Sequence, residues 1–212
     1  AWTNVVRCIF FEWRGLPRLD AWIARFRSLH PEGTPYPSSE IEAQVAEAMA
    51  GALVWRQPGN SETKNWLDKA ISLTGRLTGS GAGHAIFLTE SYLVWVGNLA
   101  EARNGQARLL ERASTAGAAP SLKILYCLSE ALLASIEARA EDCRSAVRKG
   151  LELAAREGIH LWDGWLVAQD IHNSLFAGDL KSAQNWLGEI RPMWERVGGL
   201  YRCQLYYLSA WS

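Results

Sequence analysis

The sequence has no apolar run of the roughly 18 residues that a helix needs to cross a bilayer, which excludes a helical membrane span. It has no excess of charge of either sign: 22 Lys and Arg balance 22 Asp and Glu over 212 residues. Binding to nucleic acid relies on a basic face that neutralises phosphates, so this balance speaks against direct nucleic-acid binding by the chain. Cysteine is scarce. Cys8, Cys127, Cys143 and Cys203 lie far apart and form no CxxC pair. That spacing is unlike a disulfide scaffold and points to buried free thiols in a reducing cytoplasm. No segment sustains the period-two alternation of a strand, so no sheet is expected. The opening Ala1-Trp2-Thr3-Asn4 is not a signal peptide and lacks an initiator Met. The last residues, Leu205 to Ser212, stop inside an apolar run. Both ends are therefore expected to be cuts in a longer protein.

What is present is a hydrophobic fraction of 49%, enough for a continuous core, and a repeat. Its clearest copy runs Phe176-Ala177-Gly178-Asp179-Leu180 into Ala183, Trp186 and Leu187. Looser copies turn at Gly15, Pro58, Gly97 and Ala138, so the anchors fall about 40 residues apart along the chain. Each unit has room for two helices of about 15–18 residues and short turns. A single pair cannot bury its apolar face, whereas stacked pairs share one core. The fold class expected is all-α, a right-handed α-α superhelix of about five helix pairs, read as one array over 1–212. First helices are expected near 2–14, 38–56, 83–96, 120–138 and 160–177. Second helices are expected near 18–29, 60–77, 99–116, 140–157 and 180–196, with a further helix from about 199. Ser38 followed by Glu40 is a cap signal, and Pro120-Ser121 opens a long helix. His30 to Pro37 reads as a Pro-rich link, and Thr78 to Gly83 as a Gly-rich link.

The phrase Gly178-Asp179-Leu180-x-x-Ala183-x-x-Trp186-Leu187 resembles the tetratricopeptide-like repeats of MalT-like regulators, bacterial ATP-dependent transcriptional activators of the STAND class. The stretch from Val147 to His160 is similar to them as well. So is Ser38 to Val45 followed by Ala52 to Pro58, which also resembles relatives with a bacterial transcriptional activation domain. The resemblance implies a sensing and scaffolding region. It would bind a small-molecule inducer, a partner protein, or the neighbouring NTPase and DNA-binding modules of its own chain.

Catalytic and metal-binding patterns are weak. No Gly-Lys-Ser/Thr follows Gly79-Ser80-Gly81-Ala82-Gly83, so this run is not a P-loop. Of His30, His84, His160 and His172, only His160 has an acid one helical turn away, Asp163, and no third ligand falls in line. Glu141-Asp142 opens a helix, where acids complement the dipole. No enzyme activity, metal or cofactor is expected. Tryptophan is the anomaly, with 11 copies. Trp22, Trp66 and Trp186 recur at matching repeat positions and suit the core. Trp55, Tyr92, Trp95, Tyr126, Trp162 and Trp165 lie on first helices. They are either core or, where exposed on the concave face, a binding surface for an inducer or partner. Arg56, beside Trp55, is a candidate partner for an anionic group. A sensor region of a regulator is the function expected. A general protein-interaction module without small-molecule sensing is the alternative.

Overall fold

In the computed structural model, residues 1–12, 15–31, 33–77, 81–197 and 206–210 are described. Among them every regular element is helical, and no helix is long and apolar enough to cross a membrane. The helices are α1 (Trp2–Glu12), α2 (Arg18–Leu29), α3 (Ser39–Arg56), α4 (Ser61–Ser72), α5 (Gly81–Trp95), α6 (Leu99–Ser114), α7 (Pro120–Ile136), α8 (Ala140–Glu157), α9 (Asp163–Phe176) and α10 (Leu180–Val197). Among the described residues the all-α expectation is met, and the ten paired helices are found within about five residues of their expected bounds. Two boundaries moved. Helix α4 stops at Ser72 and gives way to a 3-10 turn over Thr74–Arg76. Gly81 and Gly83, expected in a link, instead form the first turn of α5, with Ala82 and Gly83 buried. Tertiary packing there outweighs the poor helix propensity of glycine. Trp13, Arg14, Thr78–Ser80 and the expected helix start near 199 lie outside the described residues. The chain divides into two compact units, 1–105 and 106–212.

In the first unit α3 is the central helix. Ala43, Ala46, Ala48, Ala50, Gly51 and Ala52 are all buried, and so are Met49 and Leu53. A helix that is apolar and small on every side can be surrounded by others. One core lies between α1, α2 and α3, built on Val6, Ile9, Phe10, Leu19, Ile23, Met49 and Leu53. A second lies between α3, α4 and α5, built on Ala46, Ala50, Val54, Leu67 and Ala85. At Gly51 a Cβ would sit 2.7 Å from the Phe10 ring, so only glycine allows α1 to lie this close.

Two carboxyl side chains are buried among the described residues of this unit, Glu90 on α5 and Glu47 on α3, and the contacts of Glu47 join three helices. Glu47, on α3, is 1% exposed. Its Oε2 accepts from Arg7 Nη2 at 2.7 Å and Nε at 2.9 Å, and its Oε1 lies 2.5 Å from His84 Nδ1. The carboxylate thus ties α1 and α5 to α3. Burial alone would push its pKa up. The His84 hydrogen bond and the charges of His84 and Arg7 outweigh that and hold it below the ordinary value.

In the second unit α7 and α8 pack closely. A Cβ on Gly150 would meet Leu166 at 2.9 Å and Cys127 at 3.1 Å. The turns between paired helices repeat one geometry. After α7, Ala138 is left-handed at φ 58°, and after α9, Gly178 at φ 73°. In each case a 2.8 Å bond closes the turn, Arg139 N–H to Ala134 C=O and Asp179 N–H to Ser174 C=O. The same turn joins α5 to α6, with Gly97 at φ 80° and Asn98 N–H to Leu93 C=O at 2.8 Å. These are Schellman-type ends, which satisfy carbonyls orphaned at a helix C-terminus. Asn98 and Asp179 then cap the following helix, accepting from Glu101 N–H and Ser182 N–H. The pair α3–α4 turns differently: Asn60 caps α4 through Glu62 N–H at 2.9 Å. The expected Ser38 cap is present, its Oγ accepting from Ile41 N–H at 3.2 Å.

Two measurements check this account. Glu47→Gln should cost about 2–3 kcal/mol, near the low end for breaking a buried pair because Arg7 is partly solvated. The folded carboxyl has a lowered pKa, so its contribution is complete above about pH 4.5 and fades as pH falls through the folded value. Denaturant melts from about pH 6 to pH 3 should therefore show a steeper acid loss in the parent than in Glu47→Gln. Ala138→Gly should stabilise by about 1 kcal/mol, because it removes the left-handed penalty of a Cβ. Thermal melting should rise by about 2–4 °C.

Candidate functional site

The first-helix aromatics divide between the two units. In the first unit, Trp55 packs edge-on to Trp95, with ring centroids 5.5 Å apart at 72°. Trp95 is 50% exposed, so this pair presents aromatic surface at the ends of α3 and α5. Arg56, next to it, is already engaged: Nη2 donates to Asp20 Oδ2 at 2.6 Å and Nε to both Asp20 oxygens at 3.1 Å. The guanidinium hydrogen bond holds the Asp20 carboxyl below its ordinary pKa. Arg56 therefore fastens the end of α3 to α2, and an anionic ligand would have to displace Asp20. Tyr92 is half-buried against the second core.

In the second unit, Trp162 is buried at 5% exposure, just before α9, and Trp165 is half-buried in its first turn. Trp162 belongs to the core at that end of α9. Tyr126, on α7, is half-buried and lines a cleft of about 280 Å³ with Lys123, Lys149, Glu152 and Arg156. The matching-position tryptophans are half-buried rather than fully enclosed. Trp22 and Trp66 pack on the first core, and Trp186 Nε1 donates to Asp170 Oδ2 at 2.8 Å. Among the described residues Trp194, on α10, is the tryptophan with no exposed surface. His160 Nδ1 and Asp163 Oδ2 do pair, at 2.8 Å, where the chain enters α9.

A further recess was not anticipated from the sequence. A cavity of about 720 Å³ opens in the first unit between α2, the link after it, α3 and α4. Its aromatic wall is a column. His30 stacks on Phe26, with centroids 5.2 Å apart at 15°, and on Tyr36, 4.3 Å apart at 24°. Trp66 meets Phe26 edge-on at 6.1 Å. Two ion pairs bound the cavity, Lys69 with Glu42 at 2.8 Å and Arg27 with Glu62 at 2.7 Å. Burial raises the Tyr36 pKa; the Lys69 charge opposes this and Glu42 adds to it. Two of the link's three prolines, Pro31 and Pro35, also line it. The local signals were present. Tyr36 lies within the Pro-rich segment, and Trp66 and Lys69 are one turn apart on α4. Nothing in the spacing, however, says that the link folds back across α4.

Cys8, expected to be buried, is exposed, and Cys203 lies outside the described residues; the two buried thiols, Cys127 and Cys143, are chemically quiet. Burial pushes Cys127 up to about 11 and Cys143 up to about 12. The thiol of Cys143 points to the Gln169 carbonyl, 3.8 Å away. A thiol held protonated is a poor nucleophile.

No protein-family model matches the chain, and no curated protein or solved structure matches it significantly.

Alkylation of the native protein followed by peptide mass spectrometry tests the thiol environments. Exposed Cys8 should label promptly at about neutral pH, while Cys127 and Cys143 should resist until denaturant is added. Prompt labelling of Cys127 would contradict the burial described.

Proposed function

We propose that this chain is a non-catalytic binding region built from tandem helix pairs of the tetratricopeptide-like superhelical type. In this reading it is the sensing and scaffolding segment of a bacterial, cytoplasmic transcriptional regulator of the MalT-like STAND class. The observation that carries the binding role is the 720 Å³ cavity walled by Phe26, His30, Tyr36 and Trp66. Its size lies within the range usual for small-molecule sites, and aromatic walls with a few polar groups suit recognition. The repeated turn at Gly97, Ala138 and Gly178 supports the tandem-pair reading. The raised pKa values of the two buried thiols speak against Cys127 and Cys143 as thiolate nucleophiles.

An inducer in the cavity would touch α2, α3 and α4 together. It would favour whichever arrangement of these helices it binds more tightly, and the bias would pass to the neighbouring modules of a longer chain. The interaction-module reading has its own support in the exposed Trp95 beside Trp55, a surface suited to an aromatic anchor for a protein partner.

A thermal-shift screen of the chain with sugars, nucleotides, amines and organic acids tests the sensor reading. A ligand at about 100 times its Kd should add roughly 2.7 kcal/mol of stability. Stabilisation that disappears in Tyr36→Leu is the expected result. No stabilisation by any class, with a lysate partner lost on Trp95→Ala, would favour the interaction module instead.

A further inference from the structure

The cavity already contains a cation, supplied by the protein. The Lys69 ammonium lies 4.9 Å from the centre of the Tyr36 ring and 5.4 Å from that of Trp66. Its Nζ is 2.8 Å from Glu42 Oε1. Two aromatic faces and one carboxylate around a single ammonium make the arrangement by which proteins recognise organic cations. Here the cage is closed by a flexible side chain of the same helix that carries Trp66. The Lys69 side chain keeps about a third of its surface in water, 34%, so it has a route out. The ammonium fills only one corner of a 720 Å³ space. The rest offers apolar surface on Phe26, Met49 and Pro35, beside Asn65 and the Arg27–Glu62 ion pair.

We infer that this cavity binds a small organic amine, an ammonium joined to an apolar body, whose charged end takes the place of Lys69 in the Tyr36–Trp66–Glu42 cage. The inference rests on the reading of the cavity as a ligand site and adds the chemical class of the ligand. When the Lys69 side chain swings into solvent, Glu42 loses its partner and both ring faces are uncovered. An incoming ammonium restores all three contacts, and its apolar body covers Met49 and Phe26. A carboxylate or phosphate in the same place would face Glu42 and two electron-rich rings, and would be repelled. Lys69 therefore acts as a competitor covalently attached to the site. It lowers apparent affinity by the fraction of time it occupies the cage.

The test uses three probes of one shape, benzyltrimethylammonium, benzyl alcohol and benzoate. Each is titrated calorimetrically into the whole chain and into two variants. Lys69→Met keeps the length of the stem and vacates the cage. It should bind benzyltrimethylammonium at least tenfold more tightly than the parent, and neither other probe should gain. Tyr36→Leu, a change in the link outside any helix, should weaken cation binding about tenfold. Helical circular dichroism and a cooperative melt check that each variant is folded. Equal affinity of parent and Lys69→Met for the cation would overturn the inference, as would binding of benzoate or benzyl alcohol as tight as that of the cation. If no probe binds while the broad screen finds a Tyr36-dependent ligand of another class, the amine assignment fails and the binding reading stands. If both experiments find nothing, both fail.

Discussion

A carboxylate removed from water must be held by its neighbours, and Glu47 is held from two directions. Arg7 reaches it from α1 and His84 from α5, and α3 carries it between them. Because an unpaired charge in that position would cost several kcal/mol, the three helices are not free to slide past one another. The surrounding alanines and Gly51 let the backbones approach closely, but small side chains define no register by themselves. The ion cluster supplies the register. Everything in the first unit that depends on the placement of α3, including the cavity wall at Glu42 and Met49, inherits that constraint.

The joins between helices solve a different problem with equal economy. Each helix end leaves carbonyls unpaired, and a left-handed residue lets the next amides turn back and pair with them. Gly97 and Gly178 do this without steric cost, while Ala138 does it against one. Asn98 and Asp179 then serve the next helix as caps, so two adjacent residues end one helix and start another. Arg139 occupies the corresponding place but has no capping oxygen. Its guanidinium pairs instead with Glu137 and Asp142.

The cavity is made by elements that are ordinary when taken singly. Helix α2 ends at Leu29, the Pro-rich link leaves it, and His30 stacks on Phe26 on one side and on Tyr36 on the other. Prolines stiffen this link, which lowers the entropy lost in holding an aromatic column at its edge. Tyr36, together with Trp66, also holds the Lys69 ammonium, so the site is kept organised by an internal contact.

Helical content, the order of the helices, the recurrence of the turns, the Ser38 cap and the Pro120 start could be read from the residues alone. These are local properties: they depend on periodicity, on left-handed backbone at a turn, and on hydroxyls or amides placed to receive helix N–H groups. The binding residues were less legible. Trp55 and Trp95 do meet, whereas Trp162 belongs to the core and Arg56 is spent on Asp20, since burial and pairing are decided by neighbours distant in sequence. Glu47 looked like any acid on an alanine-rich helix, and only packing made it the enclosed centre of three. The cavity was invisible for the same reason. Its wall combines Phe26, Tyr36 and Trp66, and no periodicity records that a link crosses a helix 30 residues further on. The sequence by itself determined most helix starts and stops, though not the end of α4 or the start of α5, because those rules act within a turn or two. Tertiary structure alone decided which charge is buried and which rings share a wall, because those depend on contacts between segments far apart in the chain.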